Sequence, residues 1–336
     1  PGLQTLADTG GAGSLVVLDS GAMGSGGSAV AGPRVMLPLG RWNNFNWDYL
    51  NNSGHLLVQR ALQWGTGNFG GPPKNLLLVV VDPASLTAQE AAKKALIESW
   101  GYTVNLIDES DSQANFDAAI AANDVAYIPQ DITSSNLGTK LANAGIGVVN
   151  EEGEQVDELG FSSDKLFKSR HEIDIVDNSH YITQPFATGL LTFVASDQSV
   201  HMLMSSLAPG LTTLAKTFNV GSQWEPSLGV IETGGDLSGG GTAAGRRVEL
   251  PWGGGTFDIN QLNDDGRTLM QRAIEWGAGA SAVAPQTILF VVPDATALGA
   301  QDTVKKTLME AWGFNVSLIT AADSQANFDA AVAGAD

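Results

Sequence analysis

The spacing of apolar and polar positions divides the chain into short segments with two different periods. Residues 75–82 (NLLLVVVD) form an unbroken apolar run rich in β-branched side chains. A run of that length predicts a strand covered on both faces. Residues 87–100 change to a helical period. Thr87 is placed to cap that helix, Glu90 follows three positions on as in a capping box, and Gly101 supplies the stop. The change then repeats, predicting strands at 104–107, 125–128 and 146–150 and helices at 113–122 and 134–144. Strands alternating with helices make an α/β fold, a mostly parallel sheet with helices on both faces. Later runs at 173–176, 191–195, 227–232 and 247–251 are short and separated by turns, which predicts an antiparallel extension. A last helix over 263–276 is capped by Asn263 or Asp264 and buries Leu269, Met270, Ala273 and Ile274.

The pattern also recurs on a longer scale. Residues 82–121 return as 294–333, and 23 of those 40 positions are identical. Lys93-Lys94 matches Lys305-Lys306, Trp100-Gly101 matches Trp312-Gly313, and 111–117 returns unchanged as 323–329. Upstream, Gln59-Arg60-Ala61 matches Gln271-Arg272-Ala273, and Pro1-Gly2-Leu3 matches Pro209-Gly210-Leu211. A tandem repeat of about 210 residues is therefore expected, read through more than once. Stretches at 65–74 (GTGNFGGPPK) and 277–286 (GAGASAVAPQ) read as linkers between copies. They delimit one complete domain at 75–279, the C-terminal part of a preceding copy at 1–66 and the N-terminal part of a following copy at 286–336. The phase starts and stops within a copy, so a piece of a longer array is the expected origin. Partial copies expose unpaired edges and apolar faces, and neighbouring copies that complete them would bury both.

Charge and composition narrow the function. There are 36 acidic against 17 basic residues and a net charge of −19, which repels nucleic acid. The absence of cysteine excludes disulfides, thiolate metal sites and a thiol nucleophile. The longest apolar runs are of strand length, so no membrane insertion is expected.

Candidate chemistry is sparse. Glu151, Glu152 and Glu154, with Asp157 and Glu158 behind them, cluster at the carboxyl edge of the predicted sheet. They could hold a hard divalent cation such as calcium, or form a solvated helix start stabilised by its dipole. No other cofactor is implied. Asp82 and Asp294 end equivalent strands, where they touch a ligand or start a turn. The four histidines, His55, His171, His180 and His201, show no zinc-helix spacing. The match to G-x-G-x-x-G at 65–70 follows a helix and precedes two prolines, the wrong setting for a dinucleotide. The segment 41–49 (RWNNFNWDY) has no counterpart in the second copy. Its Trp42, Phe45, Trp47 and Tyr49 suit stacking on sugar rings or burial against a neighbouring subunit.

Four groups of residues carry a resemblance to a known family. They are 76–82 followed by the helix ending Trp100-Gly101-Tyr102, the run 145–151 leading to Glu158-Leu159-Gly160, His180-Tyr181-Ile182-Thr183 with Thr188-Gly189-Leu190, and 247–251 (RVELP). Together they resemble the class I glutamine amidotransferase-like fold, a flavodoxin-like sheet, and within it ThuA-like domains repeated in large secreted or surface bacterial proteins. That family places a cysteine nucleophile after the strand matching 146–150, where this chain reads Asn150-Glu151-Glu152-Gly153-Glu154. Without a thiol or hydroxyl, and with carboxylates facing a developing oxyanion, no enzyme activity is expected. The expected function is a non-catalytic structural repeat of an extracellular or cell-surface filament or array, with copies of itself as partners. An adhesive, glycan-binding module using the Trp42/Trp47 loop is the alternative. A ThuA-like hydrolase relying on His180 or the Glu151 cluster is a third reading.

Overall fold

The computed structural model describes residues 3–9, 12–23, 25, 27–39, 46–50, 52–65, 74–220, 223–280 and 286–335. The chain divides into two units, Pro1–Gly71 with Val283–Asp336, and Pro72–Ala282. Both divisions fall inside the Gly- and Pro- or Ala-rich stretches at 65–74 and 277–286. The two terminal segments, expected to belong to different copies, pack together as one unit.

In chain order, the first unit begins with β1 (Leu3–Thr9), β2 (Ala12–Leu18) and β3 (Arg34–Met36), an antiparallel sheet, followed by α1 (Asn52–Gly65). The second unit contains β4 (Asn75–Val80), α2 (Ala88–Ser99), β5 (Thr103–Asp108), α3 (Gln113–Ala122), β6 (Val125–Ile128), α4 (Ser134–Leu137) and β7 (Gly147–Asn150). It continues with β8 (Asp164–Arg170), β9 (Glu172–Ile175), β10 (Gly189–Thr192), β11 (Gln198–Met204), β12 (Leu211–Phe218), β13 (Trp224–Ile231), β14 (Arg247–Glu249) and α5 (Asp264–Gly277). The first unit resumes with β15 (Thr287–Val292), α6 (Ala300–Ala311), β16 (Asn315–Thr320) and α7 (Gln325–Ala333).

The second unit is built on a nine-stranded sheet of order β10-β9-β12-β13-β14-β7-β6-β4-β5. Strands β14-β7-β6-β4-β5 are mutually parallel, and β10-β9-β12-β13-β14 are antiparallel. Alternation along β4 shows how the layers form. Leu76, Leu78 and Val80 enter one apolar cluster with Ile97 of α2 and Leu269, Met270, Ala273 and Ile274 of α5. Leu77 and Val79 enter another with Phe116 of α3 and Leu137 of α4. Successive side chains point to opposite faces, so helices cover both. All five residues are at most 1% exposed, and burying each contributes about 1.5–3 kcal/mol.

Local signals set most boundaries. The Thr87 side chain accepts from the Glu90 amide while Glu90 accepts from the Thr87 amide, a complete capping box. Asn263 caps α5 by accepting from Gly266 N at 2.9 Å. The helix expected at 134–144 is shorter. It ends at Leu137 because Gly138 turns to φ 53, and the rest runs as turns. The strand expected at 191–195 is β10, Gly189–Thr192, which pairs with β9. A separate antiparallel ribbon of β8 and β11, absent from the expectation, pairs Asp164–Arg170 with Gln198–Met204.

The first unit carries counterparts of the second. Strands β15 and β16 pair in parallel from Thr287↔Asn315 to Val292↔Thr320, as β4 and β5 do from Asn75↔Thr103 to Val80↔Asp108. The β1–β2 ladder shifts register between Thr5 and Ala7, and the β12–β13 ladder shifts between the matching Thr213 and Ala215. Even the docking of the helix after the first strand is duplicated. Gln89 of α2 accepts from Ile259 N at 2.9 Å and donates to Asp258 at 2.9 Å. Gln301 of α6 accepts from Trp47 N at 2.8 Å and donates to Asp48 at 3.2 Å. Among the described residues of this unit, nothing corresponds to β6 and β7. Strands β3 and β15 each keep one unpaired edge there.

Candidate functional site

Because the five strands from β14 to β5 run in parallel, their C-terminal ends share one edge of the sheet, where α/β folds bind ligands. Polar side chains gather there. Lys93 projects from α2 and is fully buried. Its Nζ lies 2.6 Å from Asp131 Oδ2, just past β6, and 3.0 Å from Glu151 Oε1, just past β7. Tyr127, inside β6, donates its hydroxyl to Glu151 Oε2 at 2.6 Å. Tyr127 and Glu151 are also fully buried, and the Asp131 side chain is 14% exposed. Burial pushes the Glu151 carboxyl above its usual range, against the pull of the Lys93 ammonium. Burial also holds the Tyr127 hydroxyl protonated.

A second buried group adjoins it in sequence. Asn150, the last residue of β7, donates to both oxygens of Glu249 at 2.9 and 3.1 Å and to the Glu152 carbonyl at 2.9 Å. His201 of β11 contacts Glu249 through Nε2. Asn150, His201 and Glu249 have no exposure, and burial raises the Glu249 carboxyl. Trp252 stacks between Phe193 and Phe257 at 5.4 and 5.8 Å. The chain then passes so close to the Glu151 carbonyl that a Cβ on Gly253 would meet that oxygen at 1.9 Å, so this position, at φ 151, requires glycine.

The carboxylates read as a cation site or a solvated helix start take separate partners. Glu151 serves Lys93 and Tyr127, Glu152 accepts from the Glu154 amide at 2.9 Å, and exposed Glu154 pairs with Lys165 at 2.5 Å. Among the described residues, no group of three or more His, Asp or Glu side chains is placed to hold a metal ion. Burial pushes the Glu152 carboxyl up to about 7. Glu158 is also pushed up to about 7, by burial and by its hydrogen bond with Asp157. Asp82 accepts from Ala84 N, and Asp294 accepts from Thr296, so both act as turn starters. His180 packs edge-on against Trp276 at 5.1 Å, and burial lowers its affinity for a proton.

Trp42 and Phe45 lie outside the described residues. Trp47 and Tyr49 sit on a single helical turn, Trp47–Tyr49, held by the Asn46 side chain accepting from Asp48 N. Tyr49 is 86% exposed. Trp47 is half-buried, with Lys305 Nζ 5.7 Å from its ring centroid. The aromatic segment therefore divides between one packed and one open ring among its described members.

Sequence reasoning missed Lys93, Tyr127, Asp131, His201 and Glu249 as site residues. The recurrence of Lys93-Lys94 was their one visible trace, and it serves equally as a landmark of the repeat.

No protein-family model matches the sequence, and no curated protein matches it. Among solved structures, the chain is similar to a protein from Parabacteroides merdae described as ThuA-like. The likeness has a TM-score of 0.42 at 11% identity, over 62% of this chain and 91% of that one.

Proposed function

We propose that this chain is a non-catalytic structural repeat, about 210 residues in period, of an extracellular or cell-surface filament or array. In this reading, neighbouring copies complete one another's partial sheets. The observation that carries it is the open flank of β15. Leu76–Val80 of β4 is buried throughout, between β5 and β6. Its counterpart Ile288–Val292 buries only Val292, and Val291 is 47% exposed. The segment Thr287–Val292 (TILFVV) has no charge and no proline, so nothing on it blocks pairing with a further strand. Assembly is tested by sedimentation velocity and negative-stain electron microscopy over a range of protein concentrations. Regular polymers that vanish in Val291→Lys are the expected result. A monodisperse monomer at every concentration overturns the reading.

One observation favours the adhesive alternative, the open ring of Tyr49. Glycan-array binding lost in Tyr49→Ala, with assembly intact, would move the assignment to that module.

A further inference from the structure

Lys93 is the cation of the second unit whose surroundings are hardest to explain as an ordinary ion pair. An ammonium without solvent exposure lies 2.6 Å from one carboxylate and 3.0 Å from a second. Placing these charges out of water carries a desolvation cost that their attraction offsets only in part. A neutral amide at the same place removes two of them. The three groups also stand in the arrangement that amide formation needs: an amine, a carboxyl group as acceptor, and a second carboxyl group touching the amine as proton carrier.

We propose that Lys93 and Asp131 condense into a side-chain amide, an isopeptide bond linking α2 to the segment after β6, with Glu151 as the proton carrier. The Lys93 Nζ attacks Asp131 Cγ, the N–C bond forms, and one Cγ–Oδ bond breaks. The ammonium gives up two of its three protons. Glu151 Oε1 takes one and delivers it to the departing oxygen, which receives the second as well and leaves as water. Ammonium and carboxylate thus become amide and water, with charge balanced and no oxidant or co-reactant required. Tyr127 holds the other oxygen of Glu151 and fixes its direction. Burial favours the protonated, neutral form of Glu151 that the relay passes through. The partial exposure of Asp131 is the exit for the water.

The chain contains its own control. Lys305 occupies the position matching Lys93 in the repeated sequence. It pairs with Asp302 one helical turn away and is 26% exposed, with no counterpart of Asp131 or Glu151 among the described residues of its unit. Lys305 remains a free amine.

Intact-mass spectrometry of the full chain under denaturing conditions, followed by digestion and peptide sequencing, decides the matter. The expected result is a mass one water below that of the sequence. A branched peptide joining the Lys93 and Asp131 segments accompanies it, and the Lys305 peptide is recovered linear. Lys93→Met and Glu151→Gln restore the full mass. A full mass in the unsubstituted chain, or a mass one water lighter without the branched peptide, overturns the bond. A water-lighter, branched Glu151→Gln variant overturns the role of Glu151.

Discussion

Lys93 and Lys305 stand at the same place in two helices with matching sequence, yet they live in different media. Lys93 has no exposure and faces carboxylates from two strand ends, whereas Lys305 is 26% exposed, pairs with Asp302 of its own helix and otherwise lies over the rings of Trp47 and Phe290. A pair of arginines repeats the contrast. In β14, Arg247 is fully buried and donates to the carbonyls of Ala142, Ala144, Ile146, Gly245 and Arg246. In β3, Arg34 stands at the head of the matching Arg-Val-x-Leu-Pro segment, is exposed, and donates to Gly32 and Pro33. Glu249, the partner of His201, corresponds to Met36, which is 52% exposed. The differing environments trace to one segment, 125–208, present in the second unit and unmatched in the first. It supplies Asp131, Glu151 and His201, the carbonyls of Ala142, Ala144 and Ile146, and strands β6 and β7. A side chain's role here is set by the strands beside it as much as by its own sequence.

The comparison can be broken by substituting matched positions and following urea denaturation. The largest difference is expected between Lys93→Met and Lys305→Met. The first strands two carboxyl groups and costs about 3–5 kcal/mol. The second removes a half-exposed pair and costs less than about 1 kcal/mol. Equal shifts in the urea midpoint would dissolve the contrast. Next comes Arg247→Met, which leaves buried carbonyls without donors and costs about 3 kcal/mol, against no more than about 0.5 kcal/mol for Arg34→Met.

A pH titration sharpens the same contrast. The folded Glu152 carboxyl, ordinarily at 4.5, keeps its proton up to about 7. Between those values the folded state binds more protons than the unfolded one, so stability falls as pH rises. The contribution is present in full below 4.5 and is lost through about 7, a change on the order of 3 kcal/mol. Glu152→Gln should flatten the dependence of the midpoint on pH between 5 and 8. A slope that persists unchanged would assign it to other groups, Glu158 first. The smallest effect is expected from Val79→Ala against Val291→Ala, about 1.5 kcal/mol for the buried valine and close to zero for the exposed one.

What could be read from the sequence divides along physical lines. Helices α2, α3 and α5 were legible because capping residues and spacing act over a few positions, as Thr87 with Glu90 and Asn263 with Gly266 show. Strand β4 was legible because burial on both faces leaves an unbroken apolar run. The end of α4 was not. The apolar period continues through 141, and the break depends on the backbone turn at Gly138. The β8–β11 ribbon was hidden because Asp164–Arg170 is rich in charge and finds its partner across an intervening strand pair, β9 and β10. The buried site was hidden for the same reason. Lys93 of α2 meets Glu151, and His201 of the β8–β11 ribbon meets Glu249, only through the packing of elements distant in sequence, and a lysine or histidine in a sequence carries no mark of the carboxylate it will face. The acidic run at 151–154 was visible, but its carboxylates point to different partners.

The Gln301 contacts with Trp47 and Asp48 have a consequence at the level of populations. The bond to Trp47 N copies that of Gln89 with Ile259 N, while the second bond moves from Asp258 to Asp48, two places along the matched turn, so the fit is written into a single helix and a single turn. On the proposed assembly, a helix α6 would choose between the 47–49 turn of its own chain and that of another by effective concentration. In the proposed array, dilution would favour closed rings of one and crowding would favour linear chains. Since the two surfaces differ, each such link would leave another helix and another turn unmatched, and the proposed array would have no built-in end.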